Sequence, residues 1–122
     1  MDAKHIEIGK NGEQLAKKYL EEQGYIILEM NWRFKRSEID IIAKDNETLV
    51  FIEVKTRSSA LFSQPEDFVS QKKEELMAVG ASAFMEQTNH EWEIRFDIIT
   101  VLLKPNKAPQ IQHLIDAFFP GV

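Results

Sequence analysis

The sequence predicts an α/β fold in which one helix lies on each side of a central sheet. Three features support this prediction: a helical pattern opens the chain, strand-like runs follow it, and a second helical pattern separates the third run from the fourth. The resulting α-β-β-β-α-β order is typical of helices layered on a sheet. With 122 residues and no repeat, low-complexity tract or internal boundary, the chain is expected to form one domain, residues 1–122.

The first helix is expected from about Glu7 to Gln23. Gly24 follows at a position where glycine commonly ends a helix. The apolar residues of this segment recur at the spacing of one helix face: Leu15, Ala16, Tyr19 and Leu20.

Three strands are expected between the two helices. The first starts at residue 25 and runs towards Trp32, the second covers Ile39 to Ala43, and Asp45-Asn46 predicts the turn that follows. The third strand, Thr48 to Lys55, is apolar on both faces. A strand of this kind belongs in the middle of a sheet.

The second half of the chain is expected to hold a loop, a helix, a strand and a short terminal element. The loop covers Thr56 to Pro65 and has the small, polar residues of a mobile segment. Ser70 is a good N-cap for the helix. Gly80 lies inside this helix at a cost of about 1 kcal/mol relative to alanine, which indicates that another element packs closely there. The strand lies within 92–103 and the terminal element over 111–119.

Composition and charge restrict the class of protein. Fifteen basic and 20 acidic residues give a net charge of −5, which counts against a nonspecific nucleic-acid binder but leaves room for a local basic face. The absence of cysteine excludes disulfides, zinc–thiolate sites and cysteine nucleophiles. The chain starts without the apolar run of a signal peptide, and no stretch has the length of a membrane span. The expected location is the cytoplasm, without membrane association.

Three charged residues stand beside the most apolar stretch of the chain. Glu53 and Lys55 are two apart in a predicted strand and therefore share a face. If the second and third strands pair as a hairpin, Asp40 falls roughly opposite the segment that holds Glu53. Both carboxylates could then reach one cation, and hard oxygen ligands of this kind suit Mg²⁺ or Mn²⁺.

A metal ion held there would acidify a water molecule and neutralise charge on a phosphodiester. Lys55 would orient or deprotonate the attacking water, or stabilise the anionic transition state. The alternative interpretation is structural: Asp40 caps a strand, and Glu53 pairs with Lys55 on a solvated face. The apolar surroundings favour the metal site, because charged pairs are rarely placed at the end of a buried strand without a role.

A set of short motifs occurs in order along nearly the whole chain, from about Gly9 to Phe119. The motifs are Gly12-Glu13, Gly24-Tyr25, Asn31 with Arg33, Glu38-Ile39-Asp40, Phe51 to Lys55 with Arg57, Phe96-Asp97, and Ala117-Phe118. Each motif is weak alone, but the ordered set is specific, and on it the chain resembles the bacterial YraN-like family. That family is related to archaeal Holliday-junction resolvases, within the restriction-endonuclease-like, PD-(D/E)xK nuclease superfamily.

The resemblance implies a restriction-endonuclease-like core, with a central mixed β-sheet flanked by helices. It places the metal-binding acids at Asp40 and Glu53 and the catalytic lysine at Lys55. It makes Glu13 a further metal or water contact carried by the first helix. It also implies a polar residue on the second helix that supports the site, for which Lys73 is the best match.

Two details of the resemblance concern neighbouring positions. Gln71 and Lys72 stand beside Lys73 and are alternatives for the supporting residue. The position before Glu38 is usually glycine in the family and is Ser37 here. That difference affects the local turn and removes no ligand.

Four basic residues are candidates for holding backbone phosphates: Arg33, Lys35, Arg36 and Arg57. For the first three the alternative is a solvated basic loop, whereas Arg57 is the better candidate because it opens the loop beside the expected metal. Asp97 lies inside an apolar strand and is expected to have a structural partner such as Arg95 or a helix-end amide. The three histidines are far apart in sequence and are expected to be surface or packing residues.

Three functional hypotheses follow. The first is a Mg²⁺- or Mn²⁺-dependent nuclease that hydrolyses DNA phosphodiesters, with structured or branched DNA as its substrate and DNA expected before RNA. The second is a catalytically silent nucleic-acid-binding module of the same fold. The third is a protein-interaction domain whose carboxylates are structural. A junction is two-fold symmetric, so a C2 homodimer would suit the first hypothesis.

Overall fold

A computed structural model of the protein describes residues 3–58 and 69–120, with the backbone alone for residues 3–10. Two helices and five strands follow one another along these residues. The predicted loop over 56–65 is wrong for residues 56–58, which belong to the third strand, and the rest of that prediction lies outside the described residues. The elements are α1 (Ala3–Glu22), β1 (Ile26–Phe34), β2 (Ser37–Asp45), β3 (Thr48–Ser58), α2 (Gln71–Thr88), β4 (Ile94–Leu103) and β5 (Gln110–Phe118).

The five strands form one mixed sheet in the order β1-β2-β3-β4-β5. The first three strands are antiparallel neighbours, β4 runs parallel to β3 after the α2 crossover, and β5 returns antiparallel at the edge. The predicted α/β class is confirmed, and the arrangement agrees with the restriction-endonuclease-like core that the resemblance implied. The terminal element is a full fifth strand, and β3 lies in the middle of the sheet as its two apolar faces predicted.

Each helix covers one face of the sheet. On the α1 face, Ala16 and Leu20 pack in a cluster with Val50 and Ile52. On the α2 face, Phe84 packs in a second cluster, which includes Phe51. Because alternate residues of β3 enter opposite clusters, the strand is buried on both sides, and this burial supplies the main apolar contribution to folding.

Helix α2 is fixed at both ends. Ser70 is its N-cap, and the Ser70 hydroxyl accepts a hydrogen bond from the Lys73 amide at 3.2 Å. Asn89 closes the C-terminus in the left-handed conformation. The predicted N-cap is therefore confirmed, and the first turn of α2, which carries Lys73, has a fixed position.

Gly80 marks the closest approach of α2 to the sheet. A Cβ at this position would collide with the Ser37 hydroxyl and lie 3.1 Å from Ile39 Cδ1. Ser37 itself donates a hydrogen bond to the Leu76 carbonyl at 2.6 Å. The prediction of close packing at Gly80 is confirmed, and Ser37 ties the start of β2 to the same helix.

Neither helix in the described part of the chain combines the length and apolar character needed to cross a membrane.

Gly80→Ala tests the packing of α2 on β2. Alanine favours a helix by about 1 kcal/mol over glycine, but the added methyl would displace Ser37, and overpacking of this kind typically costs about 1–3 kcal/mol. We expect a net loss of stability in urea unfolding. Ser82→Ala, at an exposed position of the same helix, should change stability by less than about 0.5 kcal/mol. A gain in stability for Gly80→Ala would contradict the close approach of α2 to β2.

Candidate functional site

The sheet forks between β2 and β3. Their antiparallel pairing runs from Asp45–Thr48 to Ile41–Ile52 and stops there. Beyond that point β2 remains paired with β1 and β3 remains paired with β4. Continued pairing would have set Asp40 directly opposite Glu53. Instead, Asp40 Oδ2 accepts a hydrogen bond from the Val54 amide at 2.8 Å, so a carboxylate satisfies a backbone donor that the fork would otherwise leave without a ladder partner.

Both β1 and β2 change face at this point. Ile39 belongs to the cluster on the α2 face and Ile41 to the cluster on the α1 face, although residues two apart in a regular strand share a face. In β1, likewise, Met30 packs on the α1 face and Trp32 on the α2 face. Between them, Asn31 has a positive φ of 51°, a conformation that asparagine tolerates better than most residues. This change of face opens the fork to side chains from both helices.

The pKa of Asp40 is shifted by burial and by charged side chains from several elements. Burial raises the pKa of Asp40 to about 8, with further increases from Glu53 and Glu13. The hydrogen bond from Val54 and the positive charge of Lys73 oppose the increase. Asp40 is therefore mainly protonated at neutral pH, because two carboxylates in one poorly solvated place cannot both ionise cheaply.

Glu53 is the most deeply buried acid of the fork, with 5% of its surface exposed. Its Oε1 lies 2.6 Å from Lys73 Nζ. Its Oε2 is buried and has no hydrogen-bond partner among the described residues. Buried carboxylate oxygens normally have partners, so this oxygen is suited to a ligand that brings positive charge.

Lys73 reaches the fork from the first turn of α2. Burial alone would lower the pKa of this ammonium, but the bond to Glu53 and the charges of Glu53, Asp40 and Glu38 raise it above the usual value. Lys73 therefore remains charged and partly balances the site. The resemblance implied a supporting residue here, and the structure brings Lys73 into direct contact with Glu53.

Glu13 approaches the fork from α1. A Cβ at Gly12 would collide with the Thr56 side chain, so the helix lies directly against the end of β3. With its amide nitrogen turned towards α1, Asn31 donates to both Glu13 oxygens, at 2.9 and 3.0 Å. Glu13 is thus held near Asp40 by Asn31. A direct role for Glu13 as a metal ligand stays a prediction.

Lys55 follows Glu53 on the same face of β3. The ladder between β3 and β4 is unbroken from Leu49–Ile94 to Ser58–Leu103, and Lys55 is the partner of Thr100 in it. Its side chain is half-buried. A regular strand places this ammonium next in line after Glu53, towards the open end of the fork.

The donor set of the fork fits a hard divalent cation. Asp40 and Glu53 provide carboxylate oxygens, and Mg²⁺ commonly uses one or two protein carboxylates and completes its shell with water and phosphate. Within the described part of the chain, no three His, Asp or Glu side chains gather closely enough to hold a metal by themselves. The two-carboxylate arrangement therefore suits Mg²⁺ or Mn²⁺ better than a metal that demands a full protein shell.

The basic residues predicted to bind phosphates lie in different surroundings. Arg36 lines a groove of about 340 Å³ beside the first turn of α2. Arg33 pairs with Glu38 at 3.4 Å on the surface, and the Lys35 ammonium lies 5.3 Å from the centre of the Phe34 ring. Arg57 bonds to the Thr56 carbonyl at 3.0 Å. Arg36 is therefore the member of this set that meets the groove. The groove is lined by Arg36, Glu38, Ser70, Lys72, Lys73 and Leu76.

Asp97 belongs to a second buried polar cluster, on the α1 face. Arg95 donates to both Asp97 oxygens at 2.9 Å, and the Asp116 amide donates to Oδ1 at 2.9 Å. His113 Nε2 lies 2.7 Å from Oδ2. Burial alone would raise the pKa of Asp97, but the bonds from His113 and Arg95 hold it below the usual range. The predicted Arg95–Asp97 pairing is confirmed, and this carboxylate has a structural role.

Two members of these clusters were missed by sequence reasoning. His113 is buried and bridges Asp97 to Tyr19, whose hydroxyl lies 3.0 Å from His113 Nδ1. No sequence spacing links His113 to Asp97, because the bond crosses between two strands. Asn31 was noted only as part of the resemblance, although an asparagine inside a strand can indicate a positive φ.

Comparison with known proteins gives one consistent result. The model of the "Uncharacterised protein family UPF0102" matches residues 12–101, a span that includes every candidate residue of the fork. A UPF0102 protein from Christiangramia forsetii is 44% identical over 117 residues, which cover 96% of this chain and 98% of the relative. Another from Bacteroides thetaiotaomicron is 45% identical over 118 residues, 97% of each chain. A more distant one from Rhodococcus opacus is 35% identical over 117 residues, 95% of this chain and 99% of the relative.

Asp40→Asn tests the buried acid pair through the pH dependence of stability. The raised pKa means that folded Asp40 keeps a proton that the unfolded chain has lost. Its contribution to stability is complete below the unfolded pKa of about 4 and is lost as pH rises through about 8. As the pH rises from 5 to 8, we expect the free energy of unfolding of the variant to increase relative to that of the parent by at most about 1.4 kcal/mol per pH unit. Asparagine retains the acceptor for Val54.

Urea unfolding at several pH values in EDTA measures this difference. Glu47→Gln, at an exposed position in the β2–β3 turn, is the control and should follow the parent curve. Parallel curves for Asp40→Asn and the parent would show that Asp40 ionises normally.

Asp97→Ala tests the second cluster. Removing one partner of a buried ion pair costs about 3–5 kcal/mol, since Arg95 would keep its charge without its main acceptor. Asp45→Ala is a matched control, because Asp45 also bonds to Arg95, at 3.0 Å, but is partly exposed. Asp45→Ala should reduce the free energy of unfolding by about 1 kcal/mol or less. Equal losses by chemical denaturation would argue against a central role for Asp97.

Proposed function

Since the chain belongs to the uncharacterised protein family UPF0102, whose model matches a span that includes the fork, we propose that it is a divalent-metal-dependent nuclease. It hydrolyses DNA phosphodiesters, with branched or structured DNA as the substrate class. The observation that carries the proposal is Glu53 Oε2, a buried carboxylate oxygen without a partner among the described residues, beside an acid whose pKa is raised to about 8. A divalent cation at this position would be a partner for Glu53 Oε2 and would also favour the ionised form of Asp40.

Asp40 and Glu53 would hold the metal. Bound Mg²⁺ or Mn²⁺ supplies a water molecule of lowered pKa and neutralises charge that develops on the phosphate. To act as a ligand Asp40 would have to lose its proton, so metal binding would release a proton below about pH 8. The Val54 amide keeps Asp40 in position through this change.

Lys55 and Glu13 act beside the metal ligands. Lys55 faces the same side of β3 as Glu53 and is placed to orient or deprotonate the attacking water, or to stabilise the anionic transition state. Glu13 is held by Asn31 on the opposite side of the fork, where its charge reaches Asp40. It serves as a further water or metal contact.

Arg36 and the groove beside α2 supply the contact with the nucleic-acid backbone. Lys72 and Lys73 line the same groove, so three cationic side chains stand at the edge of the fork. Lys and Arg of this kind position phosphates without reading sequence. Arg33, Lys35 and Arg57 would extend this contact. The preference for DNA over RNA, a C2 homodimer on two-fold symmetric DNA and a cytoplasmic location are parts of the same proposal.

A catalytically silent nucleic-acid-binding module is the second candidate. It is favoured by the internal charge balance of the fork, where Lys73 neutralises Glu53 and Asp40 holds a proton. In that case salt-sensitive binding to DNA would occur without cleavage. A protein-interaction domain, the third candidate, would have no affinity for nucleic acid even at low salt.

Metal binding is tested by calorimetric titration with Mg²⁺ and Mn²⁺. We expect saturable binding in the parent and a loss of at least about tenfold in affinity for Asp40→Ala and for Glu53→Ala, since each removes one of two charged ligands. Glu47→Ala, in the exposed turn at the other end of the hairpin, should bind like the parent. If the double variant Asp40→Ala/Glu53→Ala bound metal as well as the parent, the site would be misassigned.

Catalysis is tested by incubation with linear, single-stranded, flap and four-way DNA in Mn²⁺. Lys55→Ala should reduce the cleavage rate by about 10²–10⁴-fold, the usual contribution of a positioned acid–base group. Lys44→Ala is the control, because Lys44 lies at the far end of β2, opposite Leu49. Equal cleavage by the parent and Lys55→Ala would contradict the role assigned to Lys55, whereas DNA binding by the parent without any cleavage would favour the silent module.

A further inference from the structure

We propose that Lys73 is an internal counterion that competes with the divalent cation for Glu53, and that its release delivers a positive charge to a backbone phosphate in the groove beside α2. This inference rests on the proposed metal site. It assigns Lys73 a positioning role that links metal loading to the binding of a phosphodiester.

Lys73 and Glu53 are in direct contact. Lys73 Nζ lies 2.6 Å from Glu53 Oε1, and the two side chains differ greatly in exposure, 45% for Lys73 and 6% for Glu53. The carboxylate is fixed inside the fork by β3, whereas the ammonium arrives from the solvent side on a flexible stem. Of the two partners, Lys73 is the one that can leave.

Lys73 lies between the fork and the groove beside α2. Its side chain contacts Glu53 and also lines the groove that contains Arg36 and Lys72. The Ser70 cap holds the first turn of α2, including the Lys73 amide. A change of side-chain rotamer alone would therefore move the ammonium from Glu53 into the groove, without movement of the helix.

The positive charge of Lys73 opposes that of a cation bound in the fork. A cation held by Glu53 and Asp40 would stand next to the Lys73 ammonium, and like charges at such a distance repel strongly in a partly buried site. Either the cation binds weakly or the ammonium withdraws. Lys73 therefore lowers the affinity of the site for metal, which is the opposite of what a simple supporting residue does.

Withdrawal of Lys73 has a consequence for substrate binding. Once Glu53 is neutralised by the cation, the ammonium is free to join Arg36 and Lys72 around a phosphate. Coupling between two binding sites is reciprocal. A phosphodiester that attracts Lys73 therefore raises the affinity for metal by the same factor by which bound metal raises the affinity for the phosphodiester. The protein would then bind metal tightly only when nucleic acid is present.

Titration of the 122-residue chain with Mg²⁺ alone tests the competition. At pH 8.5, where proton competition at Asp40 is reduced, Lys73→Met is expected to bind Mg²⁺ about tenfold more tightly than the parent. Lys73→Arg, which keeps the charge, should stay within about twofold of the parent. Lys72→Met removes one charge from the same helical turn, and its effect should be much smaller than that of Lys73→Met.

Thermal unfolding with and without Mg²⁺ provides a second readout. Mg²⁺ should raise the melting temperature of Lys73→Met more than that of the parent, because tighter binding to the folded state stabilises it further. If the parent binds Mg²⁺ and Lys73→Met binds equally or more weakly, the competition is refuted while the metal site stands. If neither binds, or if Asp40→Ala/Glu53→Ala leaves binding intact, the metal site itself fails and the inference fails with it.

Discussion

The end of the β2–β3 pairing at Ile41–Ile52 is the constraint on which the candidate site depends. One more backbone pair would set Asp40 and Glu53 against each other in a closed ladder. The fork separates the strands, and the Asp40 carboxylate takes over the Val54 amide. β1 and β2 change face at the same level, and the charges of Glu13 from α1 and Lys73 from α2 both act on the pKa of Asp40 there. A continuous sheet would keep these two helices chemically separate.

The two buried polar clusters differ in the hydrogen-bond partners of their carboxylates and in the direction of the pKa shifts. In the Asp97 cluster, each carboxylate oxygen accepts bonds from charged or backbone donors, and the pKa is lowered. In the fork, one oxygen of Glu53 has no partner among the described residues and the pKa of Asp40 is raised. A satisfied network stabilises the fold. An unsatisfied one, which burial makes costly, is the arrangement expected where a ligand completes the site.

The proposed contact with nucleic acid would depend on local charge beside the fork and not on the net charge of the protein. The net charge of −5 is spread over the whole chain, whereas the groove beside the fork gathers three cationic side chains. Lys73 belongs to both places, so the same ammonium can neutralise an acid or a phosphate. Local placement, not overall balance, decides which partners such a surface attracts.

Much of this protein could be predicted from its residues one segment at a time. The apolar run of β3, the Ser70 cap and the costly Gly80 each depend on neighbours within a few residues, so they determine the α/β class, the central strand and the approach of α2. The candidate acids were also identified from the sequence, because charged groups beside an apolar strand are unusual. Tertiary structure alone decided where the β2–β3 ladder stops, which helix reaches Glu53, and that Asn31 holds Glu13. These contacts join residues far apart in the chain, and their energy comes from burial and charge in three dimensions, which no local pattern records.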